Sequence, residues 1–239
     1  MKESLQSIPL LNLALAFIPV FIVIGIIWKW QLGYKNSIYA VSRMLIQLLL
    51  IGYVLAFIFE TNSSLVVIGV LSIMLFSSSW IALRTINLPR RVLYAKSFWS
   101  ISLSGGFILV LISQGVLNLK PWYLASYLIP LAGMIFANAM NSVSLAGERL
   151  QAELDRNVEF DEARSIAMRT SLIPITNSLF AVGLVSLPGM MTGQILSGIS
   201  PLIAARYQIM VMCMIFGSAG IASAMFLVLV KPHFKSVLK

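Results

Sequence analysis

Seven long apolar stretches constrain this chain more than any other feature. A hydrocarbon core of about 30 Å is crossed by about 20 residues of helix, and the sequence holds seven stretches near this length: Leu10–Trp30, Ile38–Phe59, Leu65–Leu83, Phe98–Leu117, Trp122–Leu145, Leu172–Leu196 and Tyr207–Val230. Backbone polar groups in lipid must be paired within their own segment, which forces helix. The stretches are too evenly apolar for barrel strands, which alternate over about ten residues. The sequence therefore predicts an all-α polytopic integral membrane protein with one transmembrane domain over residues 1–239.

The composition agrees that most of the surface faces lipid. Hydrophobic residues make up 59% of the 239 residues and charged residues only 10%, against about 25% charged in soluble domains. The net charge of +9 is high enough to suggest a nucleic-acid partner, but the positions of the basic residues explain it differently. Cys213 is the only cysteine, so no intramolecular disulfide is possible.

Basic residues gather on one side of the predicted spans. With the N-terminus outside, the inner loops, the adjacent helix ends and the C-terminal tail hold fourteen of the 17 lysines and arginines, while the outer side holds Lys2, Lys120 and Arg206. The positive-inside rule orients membrane proteins by this bias. The sequence thus predicts an N-out, C-in chain in the plasma (cell inner) membrane, and a nucleic-acid-binding face is not needed to explain the charge.

The most charged interval joins predicted spans five and six on the inner side. Residues 147–170 carry ten of the chain's 25 charged residues and keep a helical period, and Asp161 is placed to cap a second helix. An amphipathic segment of this kind can dock into a groove of a soluble partner. Alternatively, it is a solvated extension of span five that contacts nothing. The candidate contacts in this coupling loop are Glu148, Arg149, Glu159, Asp161, Glu162 and Arg164.

Side chains that drive catalysis or proton coupling are missing from the predicted spans. All eight carboxylates lie outside the spans or at their ends, and His233, the only histidine, is in the C-terminal tail. Proton relays place such groups inside the bundle, and the sequence has no HExxH, GxSxG or phosphate-loop motif. We therefore expect no catalytic residue and no bound cofactor, so that energy for uphill transport comes from another subunit.

The sixth predicted span is interrupted by helix breakers. Pro174 and Pro188 are separated by 13 residues, which rise only about 20 Å as helix. A span that turned back here would place the C-terminal lysines outside, so we expect a kinked helix that crosses the membrane. Pro188, Gly189 and Gly193 then form a hinge or gate, with the glycines allowing another helix to approach closely. Alternatively, the kink is an ordinary packing feature.

Several polar and sulfur-containing side chains are candidates for a substrate path. Methionines cluster near spans six and seven, and thioethers suit Cu(I) better than iron, although methionine also fills irregular gaps in cores. Asparagines at membrane depth bind a ligand or, alternatively, hydrogen-bond between helices. An arginine and a glutamine four residues apart on span two face an anion or snorkel to the interface. The candidates are Asn138, Asn141, Asn177, Met190, Met191, Thr192, Gln194, Arg43 and Gln47.

Specific runs resemble a known transporter family. Residues 182–212, VGLVSLPGMMTGQILSGISPLIAARYQIMVM, are similar to the signature of permease subunits of iron-export-type ABC transporters, a family that includes half-size permeases linked to aluminium tolerance in plants. Residues 42–59, 129–145 and 172–178 resemble its second span, its fifth span and the start of its sixth. The resemblance implies a permease that pairs with a separate ATP-binding subunit holding ATP and Mg²⁺, as two copies of each, and exports a metal ion or a metal-linked solute.

One interval departs from the family pattern. The family usually carries a Leu-Gly-Ala-Thr-Pro run before its sixth span, the expected contact for the ATPase, whereas residues 155–165 read DRNVEFDEARS. The missing turn leaves a second function class open, a membrane scaffold or sensor that binds a partner without transport. ATP-dependent solute movement in vesicles would separate the two.

Overall fold

The computed structural model describes residues 8–60, 63–86 and 88–237, and these residues form helices with no β-strand among them. In chain order the helices are α1 (Leu10–Leu15), α2 (Ile18–Lys29), α3 (Tyr34–Glu60), α4 (Ser64–Ile81), α5 (Arg90–Val110), α6 (Ala125–Leu154), α7 (Phe160–Ala181), α8 (Gly189–Leu196) and α9 (Pro201–Val237). A π-helical turn, Leu111–Val116, extends α5. The predicted all-α class is confirmed, and the chain divides into two units, Met1–Thr61 and Asn62–Lys239.

The N-terminal unit consists of α1, α2 and α3. Pro19 stands in the first turn of α2, where its missing N–H breaks no helical hydrogen bond. None of the residues of α2 is buried, and apolar side chains such as Phe21 and Leu49 are exposed along α2 and α3. Such surfaces match spans whose solvent is lipid rather than water.

In the second unit, α4 and α5 form an antiparallel pair joined by aromatic contacts. The ring centroids of Phe76 and Phe98 lie 5.1 Å apart, and those of Trp80 and Tyr94 lie 5.8 Å apart. The Arg90 guanidinium lies 5.5 Å from the Trp80 ring centroid, which is a cation–π contact. These contacts join the end of α4 to the start of α5, where the sequence predicts the cytoplasmic side.

Helix α6 packs against most of the second unit because its contact face is built from small side chains. Ala132, Ala139 and Ala146 recur every seven residues, and all three are fully buried. Small residues at helix contacts let backbones approach closely in lipid, where the hydrophobic effect does not drive helices together. Glycine has the same effect on α5, where Gly105 faces the ring of Phe136 on α6.

Three serines join α6 to both of its long neighbours in what we call the serine layer. The Ser142 hydroxyl of α6 donates to the Ser171 carbonyl of α7 at 3.0 Å. The Ser223 hydroxyl of α9 donates to Ser142 Oγ at 2.9 Å. Interhelical hydrogen bonds of this type contribute about 0.6 kcal/mol each on average within a membrane, and this layer places the three helices in register.

The direction of the helices follows from their ends. The start of α7 meets the far end of α9, where Lys231 Nζ lies 3.2 Å from Asp161 Oδ1, so α7 runs opposite to α9. A five-residue turn, 155–159, connects α6 to α7, and the serine layer pairs the two helices as antiparallel neighbours. Helices α6 and α9 therefore run in the same direction, and α7, which lies between them in the sequence, runs in the opposite direction.

Six of the described helical segments are long and apolar enough to cross a membrane: Leu11–Lys29, Tyr34–Leu55, Ser64–Ile81, Arg90–Val116, Ala125–Leu154 and Pro201–Lys231. They correspond to predicted spans one to five and seven, which makes this a multi-pass membrane protein. The prediction of Leu172–Leu196 as one kinked helix is wrong, because α7 ends at Ala181 and α8 begins only at Gly189. Helix α7 contains 22 residues, but charged residues in its first turns make it less apolar, and it is not among these six segments. The N-out, C-in orientation stays a prediction, and Lys2, one of the residues counted for it, lies outside the described residues.

Neighbouring glycines of α5 allow a matched test of the close packing on α6. A Cβ on Gly105 would lie 2.8 Å from Phe136 Cε1, whereas a Cβ on Gly106 would meet nothing within 4 Å. We expect Gly105→Ala to destabilise the protein by about 1–3 kcal/mol because a rigid buried ring must move. Gly106→Ala, with the same gain in helix propensity, should leave the thermal midpoint of the detergent-solubilised protein unchanged or raise it. Equal shifts in the two variants would contradict this packing.

Candidate functional site

The chain between α7 and α9 is a folded break rather than a kinked helix. The Ala181 carbonyl accepts hydrogen bonds from the N–H groups of Leu184, Val185 and Ser186 at 2.8 to 3.2 Å. The Gly183 N–H donates back to the Ser186 carbonyl at 3.0 Å, and Gly183 has φ +82°, a conformation that favours glycine. The turn thereby pairs four of its own backbone N–H groups, and such pairing is what lipid demands of non-helical backbone.

Pro188 ends this break instead of bending a helix. It occupies the N-cap of α8 with extended backbone, so its ring does not disturb a preceding helical turn. The expected kink at Pro188 is therefore absent from the structure. Gly189 and Gly193 of the predicted gate are exposed on α8, and a Cβ on either would meet no described atom within 4 Å.

The break lies well before the end of the bundle. Measured from the serine layer at about 1.5 Å per helical residue, α7 continues ten residues to Ala181, or about 15 Å. On the same side α6 reaches back 17 residues to Ala125 and α9 reaches back 22 residues to Pro201, which are about 25 and 33 Å. Residues 182–200, including α8, thus fill the bundle beside α9 where a full-length α7 would have stood.

A cavity lies where α8 meets the first turns of α6 and α9, and we call it the methionine cavity. It has a volume of about 280 Å³ and is lined by Leu117, Ser126, Tyr127, Pro130, Leu131, Met134, Met190, Gln194, Ile199, Tyr207 and Met210. Gln194 Oε1 is buried and has no hydrogen-bond partner among the described residues. A polar atom in this state costs free energy unless something binds it.

A second cavity lies on the other side of α8, against the end of α7. Its volume is about 370 Å³, and its lining is mostly apolar: Leu179, Val182, Gly183, Met191, Ala205, Gln208, Ile209, Met212 and Cys213. Adjacent methionines of α8 therefore face different cavities. Thr192, the next predicted path residue, instead directs its hydroxyl to the Pro188 carbonyl at 3.2 Å.

The other predicted path residues are dispersed. Asn138 of α6 donates from Nδ2 to the Met134 carbonyl at 2.9 Å, within its own helix. Asn141 and Asn177 are exposed on α6 and α7, and neither lines the two cavities beside α8. In the N-terminal unit, Arg43 and Gln47 are exposed on α3.

Some residues of the methionine cavity were not among the sequence candidates. Tyr127 and Met134 on α6 and Tyr207 on α9 line it, together with Met210 on α9, which belongs to the methionine cluster predicted near spans six and seven. A periodic signal was present, because Tyr127 and Met134 are seven residues apart and Tyr207 and Met210 three apart, so each pair shares a helix face. The sequence does not reveal that α8 brings Met190 to these faces, because that depends on where α7 stops.

The predicted coupling loop consists mainly of two helix ends, and we call residues 147–170 the inner hairpin. Residues 147–154 complete α6, residues 155–159 form the turn, and the rest begin α7. Asp161 is not the cap that the sequence predicts. Glu159 holds the N-cap position without a side-chain hydrogen bond, while Asp161 and Glu162 lie in the first turn of α7, where carboxylates stabilise the positive end of the helix dipole.

Ion pairs and apolar contacts hold the inner hairpin together. Glu153, which is buried, pairs with Arg149 of the same helix, and its Oε1 lies 3.9 Å from Arg156 Nη1. Asp161 pairs with both Arg164 and Lys231 at 3.2 Å. The inward side is apolar and buried, at Leu150, Leu154, Phe160, Ala163 and Ala167.

The outward side of the inner hairpin is charged, and acidic residues outnumber basic ones there. Glu148, Glu159 and Glu162 are all exposed, and none forms an ion pair within the described chain. Lys231 on α9 adds a second tie, because its Nζ lies 5.3 Å from the Phe160 ring centroid as well as beside Asp161. The hairpin therefore presents fixed charges on a firmly packed base.

Comparison with known proteins decides the family. The model of the "Uncharacterised protein family (UPF0014)" matches residues 10–164 and 156–234. The chain belongs to this family. The two matched segments overlap at residues 156–164 of the inner hairpin, which is where the sequence departs from the family pattern described above. No solved structure matches this UPF0014 chain.

Curated relatives cover most of the UPF0014 chain. It is 40% identical over 197 residues to "UPF0014 membrane protein slr1647" of Synechocystis, covering 74% of each chain. It is 35% identical to "Probable iron export permease protein FetB" of Escherichia coli, over 89% of this chain and 86% of that one. It is 31% identical to "Protein ALUMINUM SENSITIVE 3" of Arabidopsis thaliana, over 92% of this chain and 85% of that one. The family thus includes membrane transport proteins.

Two glutamates of the inner hairpin provide a matched test of the ion pairs made by the buried Glu153 carboxylate. Glu153→Gln removes the charge that offsets Arg149 and Arg156 while nearly keeping the side-chain volume. We expect a loss of about 1–3 kcal/mol in the free energy of unfolding, because a buried polar group loses its charged partner. Glu148→Gln changes an exposed residue five positions earlier and should stay within about 0.5 kcal/mol. Thermal unfolding in detergent measures both, and an unchanged Glu153→Gln midpoint would contradict the structure.

Proposed function

We propose that this chain is the transmembrane permease subunit of an ABC transporter in the cell inner membrane. A separate subunit would bind ATP and Mg²⁺, and the transported solute would be a metal ion, iron-like in the first instance, or a metal-linked solute that is exported. The observation that carries the proposal is the inner hairpin, a charged helical projection with a rigid base in a chain related to a probable iron export permease. The chain itself is not an enzyme in this proposal.

The inner hairpin is built to receive force from a soluble partner. Its exposed glutamates offer charge to a groove, while its buried face is continuous with the packing of α6, α7 and α9. A push on the hairpin would reach α9 as well as α7, because Asp161 and Phe160 both contact Lys231 of α9. The displacement would pass along α7, whose 22 residues measure about 33 Å.

The far end of α7 is the place where a displacement can open a path. Ala181 is followed by the folded break and then by α8, on whose glycines an added Cβ would meet no described atom within 4 Å. A short helix with open glycine faces can move at less cost than α6 or α9, which are closely packed. Movement of α8 would change both cavities beside it, and so this end of the bundle is the proposed gate.

A homodimer of the permease is part of the proposal. ATP-binding cassettes close as a pair, so two inner hairpins are needed, and each chain supplies one. An exposed apolar surface is present beside the break, with Leu184 91% exposed, Val185 84% exposed and Phe180 77% exposed. Lipid or a second permease copy would cover it.

Charge reversal on the inner hairpin tests the coupling. We expect Glu162→Arg with Arg164→Glu to reduce co-purification of the ATP-binding subunit and to abolish permease-stimulated ATP hydrolysis, because the docking charges are exchanged. Arg206→Glu reverses an exposed arginine near the opposite end of α9 and should preserve both. Unchanged association and stimulation in the hairpin variant would remove the hairpin from the mechanism.

Reconstitution separates transport from scaffolding. Vesicles that hold both subunits should move a metal ion only with ATP, with a loss of transport in the hairpin variant. A stable complex that moves none of a panel of metal ions under any nucleotide condition would instead indicate a scaffold or sensor.

A further inference from the structure

Three thioether side chains from three different helices line the methionine cavity. Met134 belongs to α6, Met190 to α8 and Met210 to α9. Methionine usually fills gaps in a core, but here the three side chains line, together with eight other residues, a cavity of about 280 Å³. That volume exceeds the share of one water in the liquid, about 30 Å³, so the methionines border a space large enough for a ligand.

The chemistry of the lining restricts what that ligand is. None of the described residues that line the cavity is charged. Its polar atoms are the hydroxyls of two tyrosines and a serine and the amide of Gln194, whose Oε1 lacks a partner among the described residues. Rotation of that amide exchanges its oxygen and nitrogen without a change of shape, so an acceptor can be turned toward the cavity.

A neutral, sulfur-rich lining selects a soft cation of low charge. Thioethers favour Cu(I), whereas harder ions prefer carboxylate, imidazole or water ligands. The described residues contain no cluster of His, Cys, Asp and Glu that would hold a harder metal ion. A divalent ion would also bring two charges into a site with no anion to balance them, and burial of unpaired charge is costly.

We propose that the methionine cavity binds one monovalent thiophilic metal ion, Cu(I) or Ag(I), through the sulfur atoms of Met134, Met190 and Met210 with Gln194 as an oxygen ligand. Identification of this ion as transported cargo rests on the permease function proposed above, with a soft monovalent ion in place of the iron-like ion, but the binding itself does not. Because α8 supplies two of the four ligands, a displacement of α8 from α6 and α9 takes the site apart. The proposed gate and the metal site are then one structure.

Binding of Ag(I) to the purified permease, without any partner subunit or nucleotide, tests the site. Ag(I) has the charge and softness of Cu(I) and needs no reductant. Every variant carries Cys213→Ser, because the exposed thiol beside the second cavity would bind Ag(I) more tightly than a thioether. Millimolar free methionine in the buffer competes with isolated surface thioethers, so that only a multidentate site retains the ion.

Two double variants, each with one substitution in α8 and one in α9, distinguish loss of the metal site from a general effect of replacing methionines. Met190→Leu with Met210→Leu removes two ligands, and we expect affinity to fall more than about tenfold, at least the loss that accompanies removal of supporting groups at metal sites. Met191→Leu with Met212→Leu alters residues of the second cavity and should leave affinity unchanged. Both pairs conserve volume, and equal thermal midpoints for the two variants establish that folding is not the cause.

The outcomes decide the proposal. One Ag(I) per chain, lost in the first pair and retained in the second, with several-fold weaker binding in Gln194→Leu, supports the site. Retention in the first pair, equal loss in both pairs, or no binding above the methionine competition by the parent protein overturns it. Failure of the ATP-binding subunit to associate would overturn the permease proposal and leave this result standing.

Discussion

The contact of α6 with α7 and α9 at the serine layer is the interaction on which the rest of the second unit depends. In lipid the hydrophobic effect does not drive apolar side chains together. The helices are therefore held by close packing and by polar contacts. Ser142 contributes to both. Its hydroxyl is hydrogen-bonded to Ser171 and Ser223, and it lies on a helix face of fully buried alanines. Once that register is set, the position of every other feature follows from helix length.

The early end of α7 is the main consequence of that register. A helix of 22 residues that begins in the charged hairpin has too few residues left to match α6 and α9 on the other side of the serine layer. The remaining depth is filled by a turn and an eight-residue helix, which pack less tightly. The Ala181 carbonyl accepts three N–H groups of this turn, which meets part of the demand that lipid places on any non-helical segment.

Much of the fold could be predicted from the sequence because hydrocarbon thickness sets the length of apolar helices. Spans one to five and seven appear near their expected places. The sixth was misjudged because Pro188 signals a helix boundary and a kink equally well. Whether the helix ends or bends there depends on where Ala181 lies in the folded bundle, which no local sequence pattern shows. For the same reason Met134 and Tyr207 were not among the candidate residues. Met190 and Gln194 were among them because helix breakers drew attention to their segment.

The charged and neutral ends of the second unit suit opposite tasks. In the proposed permease the docking surface is the inner hairpin, which has exposed glutamates and is tied to α9 by the contact between Asp161 and Lys231. A site that releases its ion must not hold it by strong Coulombic attraction, because conduction requires binding weak enough to reverse. In the metal site proposed here, neutral thioethers meet that condition, because a shift of α8 would withdraw Met190 and Gln194 together and leave the ion with too few ligands.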